Sequence, residues 1–152
     1  MTSVLVLTGN TPFRGLERRI EELASEMTSV SFMLQTRAPH ISQRNNIKII
    51  NFLDMADFAL YDFIICHAGA GTVFHLLKEK LQFVCVPNLE RREPHQLELF
   101  DWVKSINSSL ACELEYLDCE ALKKLLDNSR LNVKYKLASF NVNALIHEIF
   151  DI

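Results

Sequence analysis

Only four of the 152 residues are glycine, and all four stand in two short segments that follow apolar runs. Gly9 and Gly15 belong to T-G-N-T-P-F-R-G at residues 8–15, and Gly69 and Gly71 to H-A-G-A-G-T at residues 67–72. In the second segment Ile64, Ile65 and Cys66 lead into His67 and a small-residue turn that opens a helical pattern. Glycines there let an anion approach the backbone, and the first amides of the helix can donate to it. The amides of Ala70, Gly71, Thr72 and Val73 could bind the oxygens of a diphosphate. Thr72 could add its hydroxyl, and His67 could hydrogen-bond a phosphate oxygen. The same residues also suit a tight strand-to-helix turn with a capping Thr and a partly buried His, and spacing alone does not separate the two. The pattern is not the dinucleotide G-x-G-x-x-G, and it lacks the Lys of a P-loop.

A second polar constellation, P-N-L-E-R-R-E-P-H-Q at residues 87–96, leaves another apolar run and enters a helix at Pro94. His95 and Gln96 fall in its first turn, where they could reach the hydroxyls of a sugar, and Arg91 or Arg92 could neutralise a phosphate. A solvated charged loop is the other reading of the E-R-R-E run.

The elements that must position these groups are legible from periodicity. Six β-rich runs, at residues 4–8, 30–34, 47–52, 63–66, 83–86 and, more weakly, 111–114, alternate with helical patterns. Four are almost continuously apolar, as strands buried on both faces are. The alternation predicts an α/β fold: a Rossmann-like parallel sheet of about six strands with helices on both faces. The first helix carries Phe13, Leu16, Ile20, Leu23, Ala24 and Met27, with Thr11 as its cap and Pro12 at its first position. Others carry Val73, Leu76 and Leu77; Leu99, Phe100, Val103 and Ile106; and Ala121, Leu122, Leu125 and Leu126 behind a capping Asp118. A last apolar stripe of Val142, Leu145, Ile146, Ile149 and Phe150 either docks on the domain's own core or completes a partner interface. Residues 36–46 read as a polar loop and 128–136 as a weakly patterned connection. In parallel sheets ligands sit beyond the carboxyl ends of strands, so both glycine loops are expected on one rim.

Composition narrows the function. With 49% hydrophobic and 23% charged residues the chain has the content of one soluble domain, residues 1–152, with a real core. A net charge of −3 offers no general attraction to nucleic acid. Lys123, Lys124, Lys134 and Lys136 could brush an anionic membrane or simply be solvated. No run approaches the roughly 18 apolar residues of a membrane span, and residues 1–7 are too short for a secretory signal, so a cytoplasmic location is expected. Cys66, Cys85, Cys112 and Cys119 form no C-x-x-C pair, and Cys66 and Cys85 read as buried free thiols.

At residues 8–16 (T-G-N-T-P-F-R-G-L), 67–72 (H-A-G-A-G-T), 84–88 (V-C-V-P-N) and 95–99 (H-Q-L-E-L), the chain resembles the donor-binding half of GT-B glycosyltransferases of the MurG type. It is similar above all to free-standing halves: PssE-like polysaccharide subunits and the catalytic subunit of the dolichol-linked N-acetylglucosaminyltransferase. The resemblance implies a catalytic subunit that holds a UDP-sugar, while a membrane-associated partner subunit supplies the lipid-linked acceptor and the general base. In that reading Gly9, Asn10, Thr11 and Phe13 line the cleft, and Gly69, Ala70, Gly71 and Thr72 hold the diphosphate beside His67. His95 and Gln96 approach the donor sugar as the catalytic pair. No cofactor is implied beyond the UDP-sugar itself. No D-x-D cluster is present, in keeping with metal-independent transfer.

Relatives commonly carry a ribose-binding Glu eight positions after the motif His, where this chain has His75; Glu79 lies one turn further along. A neutral imidazole accepts one hydrogen bond and cannot replace a bidentate carboxylate. The alternative is therefore a non-catalytic regulatory or structural partner of a glycosyltransferase, with a degraded donor site. A self-contained enzyme would need a homodimer to complete a cleft.

Overall fold

The computed structural model describes residues 1–37, 39–42, 44–91 and 94–130. Arg92, Lys134, Lys136, the apolar stripe at 141–150 and most of the connection at 128–136 lie outside the described residues.

Five parallel strands make one sheet: β1 (Thr2–Leu7), β2 (Val30–Gln35), β3 (Ile47–Ile50), β4 (Phe63–His67) and β5 (Phe83–Val86), in the order β3-β2-β1-β4-β5. Their side chains alternate between two cores, which is why the runs are apolar throughout. Val4, Val6, Phe32, Leu34, Ile65 and Val84 pack beneath helices α1 (Arg14–Glu26) and α4 (Cys119–Arg130). Leu5, Leu7, Ile64, Cys66, Phe83 and Cys85 pack beneath α2 (Ala70–Lys78) and α3 (Pro94–Ile106). The sheet is thus covered on both faces, as the pattern predicts.

Three local expectations are corrected. The sixth run contributes a single bridge, Ala111 to Cys85, before a 3-10 turn at Leu114–Tyr116 takes the chain away. The third strand stops at Ile50, and residues 51–54 leave the sheet toward the 3-10 turn Met55–Leu60, which Asp54 caps by accepting the Ala56 amide at 2.9 Å. Helix α1 begins at Arg14 behind Phe13, not behind Thr11, and Phe13 makes no side-chain cap bond. The reason is tertiary: Phe13 is drawn into the core, 1% exposed, while the Pro12 carbonyl accepts Asn88 Nδ2 at 3.1 Å. Asp118 does cap α4, accepting the Ala121 amide at 2.8 Å.

Candidate functional site

The chain steps from β1 to β2 to β3 and then returns to the other side of β1 for β4. The switch point therefore lies between the carboxyl ends of β1 and β4, where open α/β sheets bind ligands. Leu7 pairs with Cys66 in register, so Gly9 and His67 emerge side by side. The His67 ring lies against both Gly9 and Gly69. A Cβ on Gly9 would come within 2.6 Å of its Nε2, and one on Gly69 would collide with the same atom. Gly9 also has φ +84, a left-handed conformation that favours glycine. These two glycines make room for the imidazole, whereas a Cβ on Gly71 would meet nothing within 4 Å.

Gly69 is the N-cap of α2 and offers no side-chain cap; the first bond of the helix runs from the Val73 amide to the Gly69 carbonyl at 3.0 Å. The amides of Ala70, Gly71 and Thr72 precede that bond and have no partner within the helix, which leaves a partial positive charge at this end.

These amides form one wall of an open cleft of about 1010 Å3 that runs over the ends of β4, β1, β2 and β3. Gly9, Asn10, His67, Gly69, Ala70, Gly71 and Thr72 all line it, so the structure gathers the core of both glycine loops at one place. The opposite wall is Gln35, Arg37, Asn51, Phe52, Leu53 and Met55. Phe52 presents an apolar ring that is 74% exposed. Gln35 holds a buried Oε1 without a hydrogen-bond partner among the described residues. Residue types alone did not mark this wall. Its one available signal was position, after the second and third apolar runs.

The remaining expected residues stand elsewhere. Phe13 is core and does not line the cleft, and neither do Thr11, His75, Arg91, His95 or Gln96. Helix α2 carries His75 away from the cleft toward the 3-10 turn. Its Nε2 lies 3.2 Å from the Met55 carbonyl, which can only accept, so Nε2 carries the proton. The ring meets Phe58 edge-on at 5.7 Å. His75 therefore braces the cleft wall from behind. His95 is an exposed rim residue, 3.5 Å from Glu98 Oε2, and Arg91 is exposed.

Gln96 is half-buried and works inside the rim, accepting the Asn88 amide at 3.4 Å through its Oε1. Asn88, missed by sequence reasoning, is buried and ties three segments: Nδ2 holds the Pro12 carbonyl, Oδ1 accepts the Glu90 amide at 3.1 Å, and its own amide meets Gln96. Cys66, next to His67, is fully buried beside Cys85; burial first, and that neighbour second, push its thiol well up, so it is no nucleophile.

The model of the glycosyltransferase family 28 C-terminal domain matches residues 3–148. This chain belongs to that family. The chain is 28% identical over 134 residues to the UDP-N-acetylglucosamine--N-acetylmuramyl-(pentapeptide) pyrophosphoryl-undecaprenol N-acetylglucosamine transferase of Sulfurihydrogenibium sp. (strain YO3AOP1), a match covering 84% of this chain and 38% of that enzyme. Among solved structures it resembles MurG of Acinetobacter baumannii, with TM-score 0.68 and 19% identity over 99% of this chain and 50% of that one. It also resembles the glycosyltransferase SnogD from Streptomyces nogalater, with TM-score 0.65 and 15% identity over 97% of this chain and 43% of that one. The MurG-type GT-B resemblance of the glycine motifs is thereby shown. As a family 28 C-terminal domain, the chain spans about two-fifths of the length of the curated relative it matches.

Proposed function

We propose that residues 1–152 form one donor-binding domain, the catalytic subunit of a two-subunit hexosyltransferase. It moves a sugar from a UDP-sugar to a lipid-linked acceptor in polysaccharide or glycan biosynthesis. The observation that carries this reading is the uncapped N-terminus of α2 opening into the cleft at the sheet's switch point. The diphosphate lies on the Ala70, Gly71 and Thr72 amides, with His67 alongside. The base stacks toward Phe52, and an N–H or hydroxyl of the nucleoside meets Gln35 Oε1. Asn10 closes the floor.

In this proposal the chemistry of the chain is electrostatic. As the glycosidic bond breaks, negative charge grows on the departing diphosphate, and amides already aimed at it stabilise that charge without reorganising. The helix terminus takes the place of a metal ion, and the donor is the only small molecule needed. His95 and Gln96 stand on the rim toward the sugar, with Gln96 held by Asn88 and His95 beside Glu98. Thr11 and Arg91 border the approach. The acceptor hydroxyl and its base come from a membrane-associated partner subunit, which keeps this chain cytoplasmic and peripheral to the membrane. Among the described residues no helix is long and apolar enough to cross a membrane.

One observation favours the second reading, a regulatory or structural partner with a degraded donor site: His75 bonds the Met55 carbonyl and does not line the cleft. Calorimetric titration with UDP, several UDP-sugars, TDP and GDP separates the two. Saturable binding selective for UDP is expected of the donor subunit, and absence of nucleotide binding at millimolar ligand overturns it.

A further inference from the structure

Along the β2 side the cleft is edged by a strap that hangs from α1. Glu17 is a carboxylate only 2% exposed, and both its hydrogen-bond partners are neutral. Its Oε1 accepts from Thr36 Oγ1 at 2.6 Å, and its Oε2 accepts from the His40 amide at 3.3 Å. One turn on, Glu21 Oε1 accepts the Ser42 amide at 2.6 Å. Arg14 Nη2 donates to His40 Nε2 at 3.2 Å, and Ile41 packs on the α1 side of the core. Burying a carboxylate against neutral donors is costly. The consequence here is a chain fixed on both sides of Arg37, at Thr36 and at His40.

Arg37 is exposed and lines the cleft, where it carries the one fixed positive charge among the described lining residues. Strand β1 lies between β2 and β4, so the end of β2 faces the α2 terminus across two strand spacings, roughly 10 Å. Gly9 and Asn10 lie between them. An anion over the end of β1 is therefore bracketed by the α2 amides on one side and by a guanidinium on the other. The planar fork of that group suits two phosphate oxygens.

We propose that Arg37 is the second anion contact of the cleft, gripping the nucleotide diphosphate from the side opposite α2, and that Glu17 is the positioning residue that holds it there. This rests on the donor-binding function proposed above.

The test is a double-mutant cycle on the full chain, read as affinity for UDP and for uridine. Arg37→Ala is expected to weaken UDP by about tenfold or more while changing uridine less than about twofold. Arg37→Lys, which keeps the charge, recovers part of the loss. Glu17→Gln weakens UDP less than Arg37→Ala does, and the double variant is no weaker than Arg37→Ala alone, because Glu17 acts through Arg37. Glu17→Asp serves as the second variant should Glu17→Gln not fold. Wild-type UDP affinity in Arg37→Ala, or equal losses for UDP and uridine, overturns the diphosphate contact. Additive losses in the double variant overturn the positioning role. If wild type binds UDP and Gly71→Val does not, while Arg37→Ala binds normally, this inference fails alone. If wild type binds no nucleotide, the donor function and the inference fall together.

Discussion

Gly71→Val tests the diphosphate site with little disturbance to the fold. Gly71 is the second residue of α2, and a Cβ placed on it meets nothing within 4 Å, so the valine side chain enters open space at the cleft and no neighbour has to move. In a helix, glycine and valine differ by only a few tenths of a kcal/mol, in valine's favour. For a domain of this size about 1 kcal/mol corresponds to roughly 2–4 °C, so the thermal transition is expected to move by less than about 2 °C. Binding is another matter, because the added methyl groups stand where an oxygen must approach the Ala70, Gly71 and Thr72 amides. A hydrogen bond to a charged group contributes about 1.5–3 kcal/mol, so losing one weakens UDP by at least about tenfold and losing two by more than about a hundredfold. Calorimetric titration measures the affinity, and a thermal melt of the same sample checks the fold. A UDP affinity within about twofold of wild type, with the melt unchanged, refutes the placement of the diphosphate at this helix terminus. Gly69→Ala is a poorer probe, since its Cβ runs into the His67 ring and disturbs the turn itself.

Gly9→Ala combines a left-handed φ of +84 with contact against His67, and the left-handed strain alone, about 1–2 kcal/mol, should lower the melting temperature by roughly 2–8 °C; an unchanged melt contradicts that packing. His75→Glu removes the donor to the Met55 carbonyl and should lower the melt by about 2–4 °C. An unchanged melt denies the bracing role. The Cys112 thiol is pushed up to about 11, mainly by burial and then by Glu113 and Asp118. At pH 8 about one thiol in a thousand is thiolate, so alkylation of native Cys112 should be slow and should quicken as pH rises toward 11; full labelling within minutes at pH 8 contradicts this environment.

What the sequence by itself determined is local in origin. The alternation of apolar runs with helical spacing follows from strands buried on both faces and helices buried on one, so β1, β2, β4, β5 and the helices α2, α3 and α4 could be read without coordinates. The two glycine loops were legible for the same reason, since a turn chemistry needing small residues is written where the turn occurs. Side-chain direction is not local. Phe13 sits in a loop motif yet belongs to the core, because α1 and the sheet close over it, and Asn88 is a keystone only because Pro12 and Gln96 come to meet it. His75 turns to Met55 because the 3-10 turn packs beside α2. Above all, the strand order was decided by tertiary packing: with β4 beside β1, residues 9 and 67 become neighbours, and Arg37 and Phe52 face them across a cleft. Strand order depends on which distant apolar faces cover each other, a choice that no stretch of sequence makes alone.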